Sequence, residues 1–197
     1  MPAPLSSYEH PMEDGMAAAK NGYGRARRAM HWIMAIMILP KIVVGLAMVQ
    51  PGWPRAVQNT MFILHKNVGS LLLILGVLRV VIALRNPAPP MPATLPGWQR
   101  IAAHASHGIL YLLVLVMPLS GYVRVRAGGF PIEALDKIGL PTLIPRSDTL
   151  AEVAKTIHEI GGYALIAVLL AHIGAALHHA LILRDGIWSR IWPPLQR

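Results

Sequence analysis

The sequence contains no cysteine and few charged side chains. Of its 197 residues only 14% are charged, and only nine are aspartate or glutamate. Without cysteine, the chain can form neither disulfides nor thiolate-bound zinc or iron–sulfur sites. The charged fraction lies well below the roughly 25% of an ordinary soluble domain, which indicates that much of the chain avoids water.

Long apolar segments are present in place of the missing charge. Hydrophobic residues make up 54% of the chain, and four segments approach or exceed the roughly 20 residues that cross a hydrocarbon core. We therefore predict an all-α integral membrane protein, built as an up-and-down bundle of four transmembrane helices. The predicted helices cover about residues 29–50, 60–85, 99–123 and 153–183 of one domain, 25–194. Residues 1–24 are predicted to be a flexible cytoplasmic tail.

The net charge of +9 follows the ends of the apolar segments rather than one surface. Basic residues precede the first segment, lie between the second and third, and follow the fourth, whereas the short first loop has only Arg55. The positive-inside rule then places both termini and the second loop on the cytoplasmic side of the membrane. This pattern favours membrane lipid as a partner and argues against nucleic acid.

Eight of the nine histidines lie within the apolar segments or at their ends. Ionisable side chains are costly in a membrane and usually mark a functional site there. A single histidine of this kind is more often an interfacial or structural residue, but eight are too many for that interpretation alone. The eight are His31, His65, His104, His107, His158, His172, His178 and His179.

Helical geometry arranges some of these histidines at two depths. His158 and His172 are 14 positions apart, which places them within about 40° of one face and about 21 Å apart along the axis. His65 lies at a depth similar to that of His158, on the outer side. His31 can meet His172 on the cytoplasmic side, where His104 and His107 compete for the same role.

The two levels differ in the metal site that they can build. The cytoplasmic level has four candidate histidines, which can supply the four ligands that zinc prefers. The outer level offers only His65 and His158, and two ligands complete the coordination of a heme iron, whose porphyrin already fills four positions. The pattern therefore favours heme over zinc.

Cations accompany both levels. Arg79 shares the face of His65 near the cytoplasmic level, where it can pair with a heme propionate or extend to lipid headgroups. Lys66, with Arg124 and Arg126, can bind the propionates of an outer heme or attract anions.

Three other polar residues receive no ligand role. Lys41 follows Pro40 in the middle of the first segment, and the sequence assigns it no function. His178 faces away from His158 in helical phase, and His179 lies at the membrane edge. We predict that these two histidines are interfacial.

The sequence resembles the bacterial cytochrome b-561 family over nearly its whole length, from about residue 24 to 194. Any one of the matching motifs alone would be weak, but together and in order they are specific. The motifs are "AMHW" at 29–32, "LHKNVG" at 64–69, "LR" at 78–79, "AHASHGILYLL" at 103–113, "MPLSGY" at 117–122, "IHEIGGY" at 157–163 and "AHIGAALHHALILRDG" at 171–186.

The resemblance implies four helices and two b-type hemes. It assigns His31 and His172 to the cytoplasmic heme, and His65 and His158 to the outer heme. It also implies an oxidoreductase that carries electrons from a periplasmic donor, a small anion such as superoxide or a protein, to ubiquinone. Two alternatives stay open: a cytochrome b anchor subunit of a hydrogenase or dehydrogenase, and a non-redox metal carrier.

Overall fold

A computed structural model describes residues 22–192, so most of the predicted N-terminal tail lies outside the described residues. The described part is helical and contains no strand. The elements are α1 Arg25–Ala47, α2 Arg55–Arg85, α3 Gly97–Ala127, the short α4 Glu133–Lys137, α5 Asp148–Leu177, a π-helical turn His178–Leu183 and a 3-10 turn Trp188–Arg190.

Four of these helices are long and apolar enough to cross a membrane: α1, α2, α3 and α5 with its π-helical turn. At 1.5 Å per residue the 23 residues of α1 extend about 35 Å, slightly more than a hydrocarbon core of about 30 Å. This confirms the predicted all-α bundle with four membrane-spanning helices. The helices extend beyond the apolar segments because polar residues such as Arg25 and Asp148 continue the helix outside the hydrocarbon.

The helices pack as successive neighbours, α1 with α2, α2 with α3, and α3 with α5. Gly76 allows α2 and α3 to approach closely, since a Cβ there would lie 3.2 Å from the backbone oxygen of Val114. Met30, Met34 and Leu72 form the buried core between α1 and α2. In contrast, α1 and α5 are not closely packed, and they face each other across a cavity.

Both ends of the described chain meet at one end of the bundle. The Tyr23 amide donates to the carbonyl of Arg190 at 3.0 Å, and Trp32 Nε1 donates to the Ile191 carbonyl at 3.0 Å. The Trp32 ring also packs edge-on against Trp188 and Trp192, at centroid distances of 5.9 and 5.2 Å. We call this end the terminal end, and the opposite end, which carries α4, the loop end.

Helix α4 is fixed to the loop end by charged and polar contacts. Lys66 Nζ lies 2.7 Å from Glu133 Oε1 and also donates to the Pro131 carbonyl. Asn67 donates to the same carboxylate and accepts a hydrogen bond from the Ala134 amide at 2.9 Å. Desolvation acts to raise the pKa of Glu133, but the hydrogen bonds from Lys66 and Asn67 and the charge of Lys66 outweigh it and lower the pKa.

We predict that Glu133→Gln speeds amide hydrogen exchange in α4 about fivefold at neutral pH, as expected for loss of about 1 kcal/mol of hydrogen bonding. Because the pKa of Glu133 is lowered, the contact is complete above the usual range near pH 4 and weakens as pH falls below it. Exchange measured by mass spectrometry on the membrane protein tests this.

The matched control is Glu152→Gln, which removes an exposed carboxylate of α5 that pairs with Lys155, three residues along that helix. Equal exchange of residues 133–137 in both variants would show that α4 is held without the Lys66–Glu133 contact.

Candidate functional site

The structure brings four of the predicted ligands together as two pairs. His65 of α2 and His158 of α5 have ring centroids 6.1 Å apart, and we call them the loop pair. His31 of α1 and His172 of α5 have ring centroids 6.3 Å apart, and we call them the terminal pair. Helix α5 contributes one histidine to each pair.

The spacing within each pair suits one metal ion held between two imidazoles. When two imidazoles bind a metal from opposite sides at about 2 Å per nitrogen, their ring centres lie about 6 Å apart. Both observed separations agree with that value. His31 with His172, and His65 with His158, could each hold a heme iron between them. At the loop pair, Lys41 Nζ lies 2.9 Å from His65 Nε2 and would have to leave that nitrogen.

The ring of His158 is oriented by α3. Its Nδ1 lies 2.9 Å from the Met117 carbonyl oxygen and 3.1 Å from Ser120 Oγ. Donation of Nδ1–H to the carbonyl leaves the lone pair on Nε2, the arrangement that fixes the tautomer of metal-binding histidines. Sequence reasoning missed Met117 and Ser120, although both lie in the "MPLSGY" motif.

Each ring of the loop pair packs against a glycine of another helix. A Cβ at Gly45 of α1 would lie 2.8 Å from His65 Cε1, and a Cβ at Gly121 of α3 would lie 3.1 Å from His158 Cε1. Any larger side chain at either position would therefore push an imidazole aside. Neither glycine was singled out from the sequence, because each is far along the chain from the ring that it contacts.

The terminal pair has a cation and a third histidine beside it. Arg79 Nη2 lies 3.3 Å from His31 Nδ1, and the guanidinium lies over the Tyr111 ring at 5.3 Å. His107 of α3 has its ring 5.4 Å from that of His172. The terminal level therefore combines three imidazoles with a half-buried arginine and a phenol.

The remaining histidines lie away from both pairs. His104 is exposed, with Nδ1 2.8 Å from the carbonyl of Arg100. His179 Nδ1 contacts Asp185 at 2.6 Å, and His178 is exposed. Within residues 22–192 no group of three or more metal-ligating side chains forms a compact site. The four-histidine zinc set is therefore not assembled there, because His104 does not face the interior.

The three cations predicted near the outer level separate in the structure. Lys66 contacts Glu133 and the Pro131 carbonyl at α4. Arg126 is buried and paired with Asp136. Arg124 lines the same cavity as His65 and His158. Of the three, Arg124 is thus the cation that faces the loop pair.

The cavity between α1 and α5 has a volume of about 420 Å³, within the range of about 300–1,000 Å³ typical of ligand sites. Its walls are mostly apolar and come from all four long helices. Its charged and imidazole groups come from the loop pair, His65 and His158, and from Lys41, Arg124 and Glu159. An apolar space with two opposed imidazoles fits a flat, largely hydrophobic cofactor.

The sequence profile of prokaryotic cytochrome b561 matches residues 22–194. The chain belongs to the prokaryotic cytochrome b561 family. Two proteins of Escherichia coli (strain K12), cytochrome b561 homolog 2 and homolog 1, are each 31% identical to it. The matches cover 86% and 88% of this chain and 90% and 98% of those proteins. A Yersinia pestis protein named probable superoxide oxidase CybB is 28% identical, over 87% of this chain and 96% of its own length.

Membership of this cytochrome b561 family confirms the predicted class of protein. The chain is a membrane-embedded electron-transfer oxidoreductase that binds heme b. Heme b supplies a reversible one-electron carrier. The protein's own contribution is to fix ring orientation, as Met117 and Ser120 do for His158, and to surround the site with apolar side chains that exclude water.

We predict that Gly45→Ala lowers both the heme content and the thermal stability of the purified protein. The added methyl group overlaps His65 Cε1, and overpacking of this kind costs about 1–3 kcal/mol. Heme quantification by alkaline pyridine spectroscopy and thermal unfolding measure the two effects.

Gly108→Ala is the control, because a Cβ at Gly108 meets nothing within 4 Å. Replacing an unhindered helical glycine by alanine is expected to be neutral or stabilising by up to about 1 kcal/mol. If both variants retained full heme and equal stability, the contact between Gly45 and His65 would not matter to the site.

Proposed function

We propose that this protein carries electrons across the membrane through two b-type hemes. The proposed ligands are His65 and His158 for the heme at the loop end, and His31 and His172 for the heme at the terminal end. The observation that carries the proposal is that two imidazole pairs share α5 at positions separated by about 21 Å of helical rise. That separation places one histidine pair in each half of the membrane.

The proposed orientation is that of a bacterial inner-membrane protein with both termini in the cytoplasm and one domain over residues 25–194. The two described chain ends lie together. Among residues 22–192, several arginines lie at the terminal end, and the ion-paired carboxylate there is that of Asp185. At the loop end, basic residues are mixed with acidic ones such as Glu133 and Asp136. By the positive-inside rule, this asymmetry favours a cytoplasmic terminal end.

We propose superoxide as the electron donor at the loop end and ubiquinone as the acceptor. Two superoxide anions would each lose one electron to give oxygen, and ubiquinone would take the two electrons with two protons to give ubiquinol. Two observations support the donor: the name of the Yersinia relative, a probable superoxide oxidase, and the position of Arg124 on the cavity wall. A cation there attracts a small anion.

Polar residues at the terminal level support a role in the later steps. Arg79 beside His31 is suited to hold an anionic group such as a heme propionate. His107 and Tyr111 offer proton-carrying groups at the same depth, as quinone reduction requires. The role of Lys66 in binding heme stays a prediction, and its contacts with α4 favour an indirect effect through the loop.

The heme assignment predicts two hemes per chain in the wild type and one in each of His65→Ala and His172→Ala. The lost spectral component should differ between the two variants, because each substitution removes a ligand of a different heme. Reduced-minus-oxidised spectra with heme quantification give the result. His178→Ala, an exposed histidine of the same helical segment, should keep both hemes; retention of both in His172→Ala would refute the assignment.

The donor assignment predicts that Arg124→Gln slows reduction of the heme by superoxide about tenfold at low ionic strength and weakens its salt dependence. Stopped-flow absorbance, with and without quinone, provides the rate constants. Arg55→Gln, an exposed arginine of the same end, should leave the rate nearly unchanged.

A wild-type protein that superoxide does not reduce would exclude this donor. If the hemes were instead reduced only by a co-purifying hydrogenase or dehydrogenase, the protein would be an anchor subunit of that complex.

A further inference from the structure

A second cavity lies at the loop end, outside the space between α1 and α5. It is an open cleft of about 340 Å³, and no residue lines both cavities. Its walls come from the end of α3, the turn that follows, and the segment that joins α4 to α5. We call it the loop-end cleft, and its side chains include those of Arg126, Phe130, Thr142, Ile144 and Arg146.

The way in which α3 ends forms one wall of the loop-end cleft. Gly129 has a positive φ of 78°, a conformation that glycine adopts without strain. The Gly129 amide donates to the Arg126 carbonyl and the Phe130 amide to the Val125 carbonyl, both at 3.0 Å. These two hydrogen bonds form a Schellman motif, which stops the helix and turns the chain. Arg126 is thereby fixed in the last turn of α3.

Arg146 is held across the same turn. The Ser147 amide donates to the Ala127 carbonyl at 2.9 Å, which ties the start of α5 to the end of α3. The Arg146 side chain lies along Gly129, where a Cβ would be 3.6 Å from its Cδ and 3.9 Å from its Cζ. One backbone hydrogen bond and one glycine therefore place a second guanidinium on the wall of the cleft.

The loop-end cleft has more positive charge than its ion pairs balance. Arg126 is buried and paired with Asp136. Arg146 is exposed, and among residues 22–192 it forms no ion pair. Asp148, two residues further along, forms no ion pair with it either. Thr142 adds a hydroxyl group to the same wall. This combination suits an anion with a single negative charge and several oxygen atoms.

Exposed apolar side chains lie on and around the cleft. Phe130 is 64% exposed on its wall, and Ile138, Leu140 and Leu143 of the neighbouring segment are 70%, 50% and 75% exposed. The 31 residues of α3 extend about 46 Å, as long as a bilayer with its headgroups. The end of α3 therefore lies at headgroup depth, where arginines beside apolar side chains are suited to a lipid.

We propose that the loop-end cleft binds the phosphate of an anionic phospholipid. Arg146 provides the main charged contact, because a guanidinium binds two phosphate oxygens through parallel N–H donors. Phe130 contacts the apolar part of the lipid next to the glycerol. Such a lipid bridges the end of α3 and the segment before α5. The proposal is independent of the heme ligands and of the electron donor.

The test is amide hydrogen exchange of the full-length protein in nanodiscs of phosphatidylcholine, and of equal parts phosphatidylcholine and phosphatidylglycerol. In the wild type, phosphatidylglycerol should slow exchange in residues 128–147 about fivefold, since a bound lipid stabilises the closed state of that segment. In Arg146→Gln, exchange in the two kinds of nanodisc should agree within about twofold. The exposed, unpaired Arg146 side chain is not required for folding, which thermal unfolding of the variant checks.

Arg55→Gln is the matched control, because it removes an exposed arginine of the same end that does not line the cleft. It should keep the full slowing by phosphatidylglycerol. Equal slowing in wild type and Arg146→Gln would overturn the proposal, and so would wild-type exchange that is the same in both kinds of nanodisc.

A second variant and a second probe separate a lipid from a free anion. Phe130→Ala should reduce the slowing to about twofold, because it removes apolar contact area. Inorganic phosphate, added to phosphatidylcholine nanodiscs at constant ionic strength, should leave exchange in residues 128–147 unchanged. If inorganic phosphate slowed exchange as strongly as phosphatidylglycerol, or if Phe130→Ala kept the full slowing, the cleft would be a site for phosphate alone and the lipid proposal would be wrong.

Discussion

Hydrocarbon provides no hydrogen-bond partners, and this constraint governs how the backbone and the paired histidines of the bundle are placed. The backbone satisfies itself by forming four long helices. The imidazoles of the two pairs lie beside each other in the interior, and His158 also contacts the Met117 carbonyl. Because the polar side chains gather inside, the outer surfaces are left to apolar residues such as Ile36 and Leu170. The requirement that makes the helices thus also brings the paired histidines together inside the bundle.

Much of this arrangement could be predicted from the sequence. Segment length and hydropathy indicate the number of helices, since both depend only on local composition. The 14-residue separation of His158 and His172 indicates two depths on one face, because helical phase and rise are properties of a single helix. The structure places His31 beside His172 and His65 beside His158.

Contacts between helices could not be predicted in this way. Gly45 touches His65, and Lys66 is engaged by Glu133 from a loop element 67 residues away. Such contacts depend on how each helix is rotated about its axis and on where α4 lies. The periodicity within one segment determines neither the rotation nor the position of α4. Lys41 shows the same limit: its position mid-segment was evident, but its direction depended on the space beside Gly69 of another helix.

The contacts between the two chain ends affect where heme can enter the bundle. At the terminal end, Tyr23 and Trp32 bind the backbone of Arg190 and Ile191 and hold α1 near the segment that follows α5. At the loop end, ion pairs join α4 to Lys66 of α2 and to Arg126 of α3. A bulky macrocycle can therefore enter between α1 and α5 from the loop end without separating any closely packed pair of helices. Heme insertion and the folding of the bundle need not compete for the same interfaces.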